Sequence, residues 1–180
     1  MRYVFQKIGQ HFPLVFPDSL LGEANLGTDP NNLYFPAVST CTCLALLLDD
    51  DTLLGAHFDK GLSNFDVYIM LHRMSQLKAA RNVTRMVVVG NLTFGENDPT
   101  CFMCKPDFRN GHYLTTFAEA FDFNGHVFSH DQGGAANKHY RMQAAGGGNM
   151  PIYSANVLSV HGHPVPFNPY QTLWMAQPVT

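Results

Sequence analysis

Apolar and polar residues follow two different periods along the chain, and the changes of period mark the predicted elements. Residues 43–48 are continuously apolar, residues 53–58 form a second largely apolar run, and Asp49, Asp50 and Asp51 separate the two. Short apolar runs on both sides of a polar turn are typical of a β-hairpin. We therefore predict a hairpin with strands at Val38–Leu48 and Leu53–Phe58 and a turn at residues 49–51.

Helical spacing of apolar residues occurs twice. The spacing places them along one face of residues 67–78 and again along one face of residues 113–121, so both segments are predicted to be amphipathic helices. Asn110 is expected to cap the second helix. The periodic residues are Val67, Met70, Leu71, Met74 and Leu77 in the first helix and Tyr113, Leu114, Phe117, Ala118 and Phe121 in the second.

Further strands are predicted between and after the helices. Met86–Val89 is short and fully apolar, as a central strand would be, and it precedes a long loop at residues 91–111. Other strand candidates are His126–Ser129, His139–Gln143 and Pro151–Val160. The order of elements predicts an α/β (α+β) fold, with a mixed, mainly antiparallel β-sheet or sandwich and two packed amphipathic helices.

The organisation predicted from these elements is one domain with two flanking segments. Residues 1–34 are rich in proline and glycine and read as an irregular lead-in with one short strand at Tyr3–Ile8. Residues 35–160 form the domain, and residues 161–180 are a C-terminal tail packed on it. A chain of 180 residues with 46% hydrophobic residues is large enough to bury one such core.

Charge and hydropathy remove two classes of partner. The net charge is -3 and no basic run occurs, so the sequence offers no electrostatic surface for nucleic acid. No apolar run approaches the roughly 20 residues of a membrane helix, so no membrane span is expected. The N-terminus has no continuous apolar stretch of the secretory type. We expect a cytoplasmic location, or export as an effector without a classical signal peptide.

Four cysteines form two close pairs, Cys41 with Cys43 and Cys101 with Cys104. Four thiolates at such spacings are one way to build a structural zinc site. However, Cys43 begins an apolar run, whereas zinc-binding cysteines usually lie on tight turns. The main hypothesis therefore has no metal and no cofactor, and a non-catalytic binding domain with a four-cysteine zinc site is kept as the alternative.

The residues around Cys41 resemble a known family. The segment Val38–Ala45, followed after the aspartate turn by Leu54–Phe58, is similar to the Gly-Ser-Cys strand and Gly-Gly-x-x-His strand of the CheD-type chemoreceptor glutamine deamidases. Downstream, Val87–Asn91 resembles the strand and turn that follow the family's helix, and Val127–Gly134 resembles its Asp-x-Gly-Gly strand. The resemblance covers residues 36–155 in order and spacing.

Two departures from the CheD pattern are visible. The family's glycine before Ser-Cys is not kept, since Thr40 occupies the place directly before Cys41, and Phe35 stands where the family has a threonine. A Ser-Gly-Cys-Thr stretch of the cytotoxic necrotizing factor-type deamidases also resembles Ser39–Thr42. In that second family a backbone carbonyl stands in for the third catalytic side chain.

The resemblance implies a Cys–His deamidase that converts a glutamine on a protein substrate to glutamate, as a chemoreceptor-type modifier or as a bacterial toxin or effector. Cys41 would be the nucleophile and His57 the general base. Ser39, Thr40 and Thr42 are candidates for the oxyanion site or for the third catalytic member. Such an activity needs no cofactor, and the sequence leaves the oligomeric state unknown.

Cys41 and Cys43 compete for the role of nucleophile. A hairpin centred near residue 50 pairs positions whose numbers sum to about 100, so His57 faces Cys43 or its diagonal neighbour Cys41. Cys41 follows the polar Ser39-Thr40, where we expect solvent and backbone donors to stabilise a thiolate. Cys43 begins the apolar run, where desolvation would raise its pKa. We therefore predict that Cys41 reacts and that Cys43 is a buried neighbour.

Overall fold

The structure is a computed structural model of the chain. It describes residues 21, 25–92, 112–132, 137–156, 171–172 and 177–179. Four predictions therefore lie outside the described residues: the strand at Tyr3–Ile8, the loop at residues 93–111, the cap at Asn110, and residues 157–160 of the last predicted strand.

Two β-sheets and two helices form the fold, which confirms the predicted α+β class. In the order of the chain, the elements are β1 (Asn25–Asp29), β2 (Asn32–Val38), β3 (Thr42–Leu48), β4 (Leu53–Phe58), α1 (Asn64–Lys78), β5 (Val83–Gly90), α2 (His112–Ala120), β6 (Val127–Asp131), β7 (Lys138–Gln143), β8 (Ile152–Asn156), β9 (Gln171–Thr172) and β10 (Gln177–Val179).

The first sheet has six strands in the order β1-β4-β3-β5-β6-β10, and the second has four in the order β2-β7-β8-β9. Neighbouring strands are antiparallel throughout these described sheets except for β5 and β6, which are parallel. The carboxyl ends of β5 and β6 therefore lie at one edge, next to the start of β3. That edge carries the candidate site.

The predicted hairpin is present as β3 and β4, with its turn at Asp49–Asp51. Its first strand differs from the prediction, because the segment Val38–Leu48 is not continuous. β2 ends at Val38 in the four-stranded sheet, residues 39–41 bend, and β3 starts at Thr42 in the six-stranded sheet. The bend therefore carries the chain from one sheet to the other.

Residues 25–34 were expected to be irregular, and this expectation is wrong. They form β1 and the start of β2. β1 pairs along its full length with β4, from Asn25 opposite His57 to Asp29 opposite Leu53. The sheets thus begin before residue 35. In the predicted tail, residues 171–172 and 177–179 form β9 and β10, which pair with β8 and β6.

Both helices occur where the hydrophobic spacing predicts them. α1 begins three residues earlier than predicted, at Asn64, because Ser63 caps it. The Ser63 hydroxyl accepts from the backbone N–H of Asp66, and the Asp66 carboxylate accepts from the backbone N–H of Ser63. Neither α1 nor α2, the helices of the described part of the chain, has the length and hydropathy of a membrane span.

The six-stranded sheet buries both of its faces. One face packs on the two helices in a cluster that we call the helix-side core, which includes Leu44, Leu46, Phe58, Met74 and Phe117. The other packs on the four-stranded sheet in what we call the inter-sheet core, which includes Leu21, Phe35, Cys41, Cys43 and Tyr140. Side chains alternate between the faces along each strand, so neighbouring residues of β3 belong to different cores.

Candidate active site

The register of the hairpin brings the cysteines and the histidine to one face of the sheet. Cys43 of β3 is the direct partner of His57 of β4, as the sum of 100 predicts. Side chains at directly opposed positions have Cβ atoms about 4.5–5.5 Å apart. Cys41 lies two residues before Cys43 in the same inter-sheet core, on the diagonal from His57. Both thiols are therefore neighbours of the imidazole.

The burial of this group is greater than the sequence suggested. Cys43 and His57 have no exposed surface, and Cys41 is only 1% exposed. We expected Cys41 to meet solvent at the start of its strand and His57 to lie at a partly exposed strand end. The described part of the fold instead encloses both, because the four-stranded sheet covers this face of the hairpin.

His57 is held by a backbone group. Its Nδ1 lies 2.9 Å from the carbonyl oxygen of Leu21, and because a carbonyl only accepts, Nδ1 must carry the proton. The lone pair of the neutral ring is then on Nε2, which is buried and has no hydrogen-bond partner among the described residues. The ring of Phe35 contacts His57 edge-on at 6.1 Å between ring centroids. This arrangement fixes the ring and presents Nε2 as a base.

Burial sets the charge states of His57 and Cys43. Desolvation lowers the pKa of His57 to about 4, although the hydrogen bond to Leu21 and the charge of Asp59 oppose the shift. Desolvation also raises the pKa of Cys43, and the neighbouring Cys41 adds to this effect. At neutral pH, His57 is thus an uncharged imidazole and Cys43 an uncharged thiol.

The three candidates for the oxyanion site or third catalytic member lie in different places. Ser39 and Thr40 form the half-buried bend between β2 and β3. Thr42 is fully buried on β3, one position from Cys43, so its side chain belongs to the opposite face of the sheet. The group that contacts Nδ1 of His57 is the Leu21 carbonyl, and none of the three side chains makes this contact.

Sequence reasoning did not identify Leu21, and no residue-type signal could have done so because the interaction uses a main-chain oxygen. The only indication in advance was the resemblance to a family in which a backbone carbonyl replaces the third catalytic side chain. Leu21 itself is fully buried in the inter-sheet core, and its backbone N–H donates to the Tyr34 carbonyl at 2.7 Å. Leu21 is therefore bound to β2 through its N–H and to His57 through its carbonyl oxygen.

The bend that precedes Cys41 is hydrogen bonded to the ends of β5 and β6. The Gln132 side chain donates to the carbonyls of Val38 and Ser39, at 3.0 and 2.9 Å. The Asn91 side chain also donates to the Ser39 carbonyl, at 3.2 Å, and its backbone N–H donates to the Cys41 carbonyl, at 3.1 Å. Asn91 directly follows β5, and Gln132 directly follows β6.

Gly90 is required at the end of β5 because the Cys41 carbonyl lies against it. Its φ of +125° is unfavourable for other residues, and a Cβ at this position would clash with the Cys41 carbonyl oxygen. The glycine thus allows β5 to approach the bend closely enough for Asn91 to reach the Cys41 carbonyl.

A second buried histidine supports the same bend from the other sheet. His139 of β7 is fully buried, and its Nδ1 accepts from the backbone N–H of Ala37 at 3.1 Å. Ala37 has a φ of +50°, a left-handed conformation that is uncommon for alanine. Burial lowers the pKa of His139 to about 4, so the ring remains neutral and Nδ1 can accept.

The metal-site alternative depends on residues outside the described part of the chain. Cys101 and Cys104 lie there. Among the described residues, no group of three or more His, Cys, Asp or Glu side chains is placed to hold a metal ion, and Cys41 and Cys43 are free cysteines.

The sequence matches no protein-family model and no curated protein.

Proposed function

We propose that this protein is a cysteine-dependent protein-glutamine deamidase in which Cys41 is the nucleophile and His57 the general base. The observation that carries this proposal is the state of His57. Its Nδ1 is oriented by a carbonyl, its Nε2 is buried without a hydrogen-bond partner among the described residues, and it shares one sheet face with Cys41 and Cys43. A base held in this way beside a thiol is the arrangement that nucleophilic catalysis requires.

The proposed reaction has two steps. The Cys41 thiol gives its proton to Nε2 of His57 while sulfur forms a bond to the carboxamide carbon of the substrate glutamine. The C–N bond then breaks, and ammonia leaves with the proton from His57, which gives a thioester. Water, deprotonated by His57, attacks the thioester, and the products are glutamate and the free thiol.

The low pKa of His57 acts in opposite directions on the two proton transfers, because it makes the neutral imidazole a weaker base and the imidazolium a stronger acid. A pKa of about 4 means that the imidazole is neutral and able to accept a proton at neutral pH. The same low pKa makes the imidazolium, once formed, a strong acid that readily protonates the leaving ammonia. In this mechanism the imidazole rests in its neutral form and becomes charged only during the reaction.

Cys41 is preferred to Cys43 because of what surrounds each residue. Cys43 is enclosed within β3, and burial raises the pKa of its thiol. Cys41 comes directly after the bend at Ser39 and Thr40, whose backbone N–H groups are the proposed oxyanion donors. A nucleophile must lie beside such donors, which favours Cys41.

The substrate proposed from the family resemblance is a glutamine side chain on another protein. The partner is then either a chemoreceptor-type target or, if the protein is an exported toxin or effector, a protein of another cell. The proposed reaction uses water and the two side chains, so it needs no cofactor.

The direct test is mass spectrometry of candidate substrate proteins after incubation with the purified protein. A deamidated glutamine gains about one dalton and releases ammonia through the thioester route. We expect this gain with the wild type and none with Cys41→Ser, while free glutamine should be a poor substrate. Comparable turnover of free glutamine would indicate a small-molecule amidase instead.

Metal analysis provides the control for the zinc alternative. Stoichiometric zinc that is lost in Cys101→Ser or Cys104→Ser would support a four-cysteine site and a binding domain. In the deamidase proposal, the same variants keep their activity, because neither residue belongs to the Cys41–His57 pair.

A further inference from the structure

The bend at residues 39–41 and the preceding residue, Val38, are held by hydrogen bonds to their carbonyl oxygens. The carbonyls of Val38 and Ser39 both accept from Nε2 of Gln132, at 3.0 and 2.9 Å. Asn91 adds bonds to the carbonyls of Ser39 and Cys41, at 3.2 and 3.1 Å. Three of the four main-chain carbonyls from Val38 to Cys41 are thus oriented by residues that follow β5 and β6.

Gln132 is itself fixed in one orientation. The Tyr140 hydroxyl donates to Oε1 of Gln132 at 2.9 Å, and the backbone N–H of Gln132 donates to the Gly90 carbonyl at 2.8 Å. If the side-chain amide turned over, its oxygen would face two carbonyl oxygens, and two acceptors repel each other. Tyr140 is fully buried, so its hydroxyl has a fixed position.

The direction of the carbonyls determines the direction of the neighbouring N–H groups. In a trans peptide, the N–H of one residue points opposite to the carbonyl of the residue before it. The N–H groups of Ser39 and Thr40 therefore point away from Gln132, on one side of the bend. Among the described residues, none accepts a hydrogen bond from the Thr40 N–H. Successive N–H groups on one side form a site for negative charge.

We propose that Gln132, oriented by Tyr140, is a positioning residue that aims the N–H groups of Ser39 and Thr40 at the oxyanion formed when Cys41 attacks a carbonyl. This inference rests on the proposed function and adds the residues that prepare its oxyanion site. In this proposal Gln132 acts through the main-chain carbonyls that it binds. Its role in this proposal is to stabilise charge that develops only during reaction.

Two reagents separate this role from a general effect on Cys41. Iodoacetamide alkylates a thiol by displacing iodide, and no oxyanion forms. p-Nitrophenyl acetate acylates a thiol through a tetrahedral oxyanion: a C–S bond forms, the ester C–O bond breaks, p-nitrophenolate leaves, and His57 takes the thiol proton. The second-order rate constant of each reagent at Cys41 is measured, with the modified cysteine identified by mass spectrometry.

The test variants are Gln132→Glu, which places oxygens opposite the two carbonyls, and Tyr140→Phe, which removes only the hydroxyl. The matched controls are Gln143→Glu on β7 and Tyr153→Phe on β8, both half-buried and in the four-stranded sheet. Circular dichroism and thermal melts establish that each protein is folded. If Gln132→Glu does not fold, Tyr140→Phe is the only test variant used.

We expect acylation of Cys41 to fall by about tenfold or more in both test variants, as when an oxyanion donor is displaced. Alkylation should change by less than about twofold, and neither rate should change in the controls. An equal fall in both rates would mean that Gln132 only places the thiol, and would overturn the proposal. Unchanged acylation, or a wild-type Cys41 that the ester does not acylate, would also overturn it.

These outcomes are distinct from a failure of the proposed function. Persistent deamidation by Cys41→Ser would remove Cys41 from the reaction. The ratio of the two rate constants would still report whether Gln132 aims the peptide groups next to that thiol.

Discussion

The two faces of the six-stranded sheet carry different chemistry, although they share the same strands. In the helix-side core, the buried residues of β3 are Leu44, Leu46 and Leu48, and no member of that cluster is titratable. In the inter-sheet core, β3 contributes Cys43, and the cluster also contains Cys41 and Tyr140, beside the buried His57. One face is built for packing, and the other holds nearly all the reactive groups of the hairpin.

The difference has a physical cause. A helix covers a sheet with a continuous apolar stripe, so a titratable side chain on that face would find no partner for its charge or its hydrogen bonds. Between the sheets, loop and strand-end carbonyls such as those of Leu21, Val38 and Ser39 provide acceptors. Buried polar side chains find at least one hydrogen-bond partner there, as Nδ1 of His57 does, and burial lowers the pKa values of His57 and His139. The comparison predicts that mutations on the two faces have separable effects on stability and activity.

The largest expected effect is a loss of activity from a substitution in the inter-sheet core. His57→Gln can keep a hydrogen bond to Leu21 but has no basic nitrogen, so we expect the rate of ammonia release to fall by about 10²–10⁴-fold. The matched control is His72→Gln, on the exposed face of α1, which should leave the rate unchanged. Rates are measured per folded molecule, with folding monitored by circular dichroism.

Activity retained by a folded His57→Gln protein would remove His57 as the general base. It would also weaken the contrast between the faces, because the buried histidine would then have only a structural role.

The next effect is on the helix side and should appear in stability alone. Phe117 of α2 is fully buried and stacks on Phe58, with 5.1 Å between ring centroids. Phe117→Ala should lower the free energy of unfolding by about 3–5 kcal/mol because it leaves a large cavity. Phe65→Ala, at a side chain that is 71% exposed, should change it by less than about 0.5 kcal/mol.

Chemical denaturation measures the free energy of unfolding of both Phe variants. Ammonia release is then compared at a temperature where each variant is folded. A strong loss of activity per folded Phe117→Ala molecule would show that the helix-side core also shapes the site.

A third prediction concerns acid. His57 and His139 have folded pKa values lowered to about 4 by burial, whereas in the unfolded chain each is near 6.5. Below pH 6.5 the unfolded chain binds protons that the folded protein does not, so stability is complete above that pH and is lost as the pH falls toward 4. The loss should approach about 1.4 kcal/mol per pH unit for each histidine.

Urea denaturation at pH 7, 6 and 5 measures the slope of the free energy of unfolding against pH, and we expect a total loss of about 3–4 kcal/mol over the range. His57→Gln should reduce the slope by about half, since one of the two groups is removed. A slope that is the same in the variant would mean that His57 is protonated in the folded protein.

The sequence predicted the parts of this arrangement that depend on local pattern. Apolar spacing identified the hairpin and both helices, and the aspartate turn fixed the register that pairs Cys43 with His57. It did not predict β1, whose residues Asn-Leu-Gly-Thr-Asp have low β propensity. Pairing with β4 overrides that propensity, and no local signal reports a pairing partner nearly 30 positions away.

In the candidate site, too, local sequence pattern predicted some features, and long-range packing determined the others. Cys41 and His57 were predicted as the catalytic pair from the resemblance of the segments around them to a known family, and this assignment stays a prediction. The Leu21 carbonyl, the break between β2 and β3, and the Gln132–Tyr140 contact depend on long-range packing. The network around Gln132 joins residues 93 positions apart, from Ser39 to Gln132, and its polar atoms are ordinary turn and strand residues in the sequence.

The smallest expected effect distinguishes the two thiols. Cys43→Ser places a hydroxyl in a fully buried position within the inter-sheet core, and burying a hydroxyl without an ideal partner costs about 1–3 kcal/mol of stability. Although Cys43 lies directly opposite His57, we expect the variant to keep most of its activity, because the proposed nucleophile is Cys41, which adjoins the bend with the proposed oxyanion donors. Urea denaturation and ammonia release are measured together, and iodoacetamide should still label Cys41. If Cys43→Ser instead abolished ammonia release while Cys41→Ser retained it, the reacting thiol would be the direct partner of His57, and the bend at Ser39 and Thr40 would lose its proposed role.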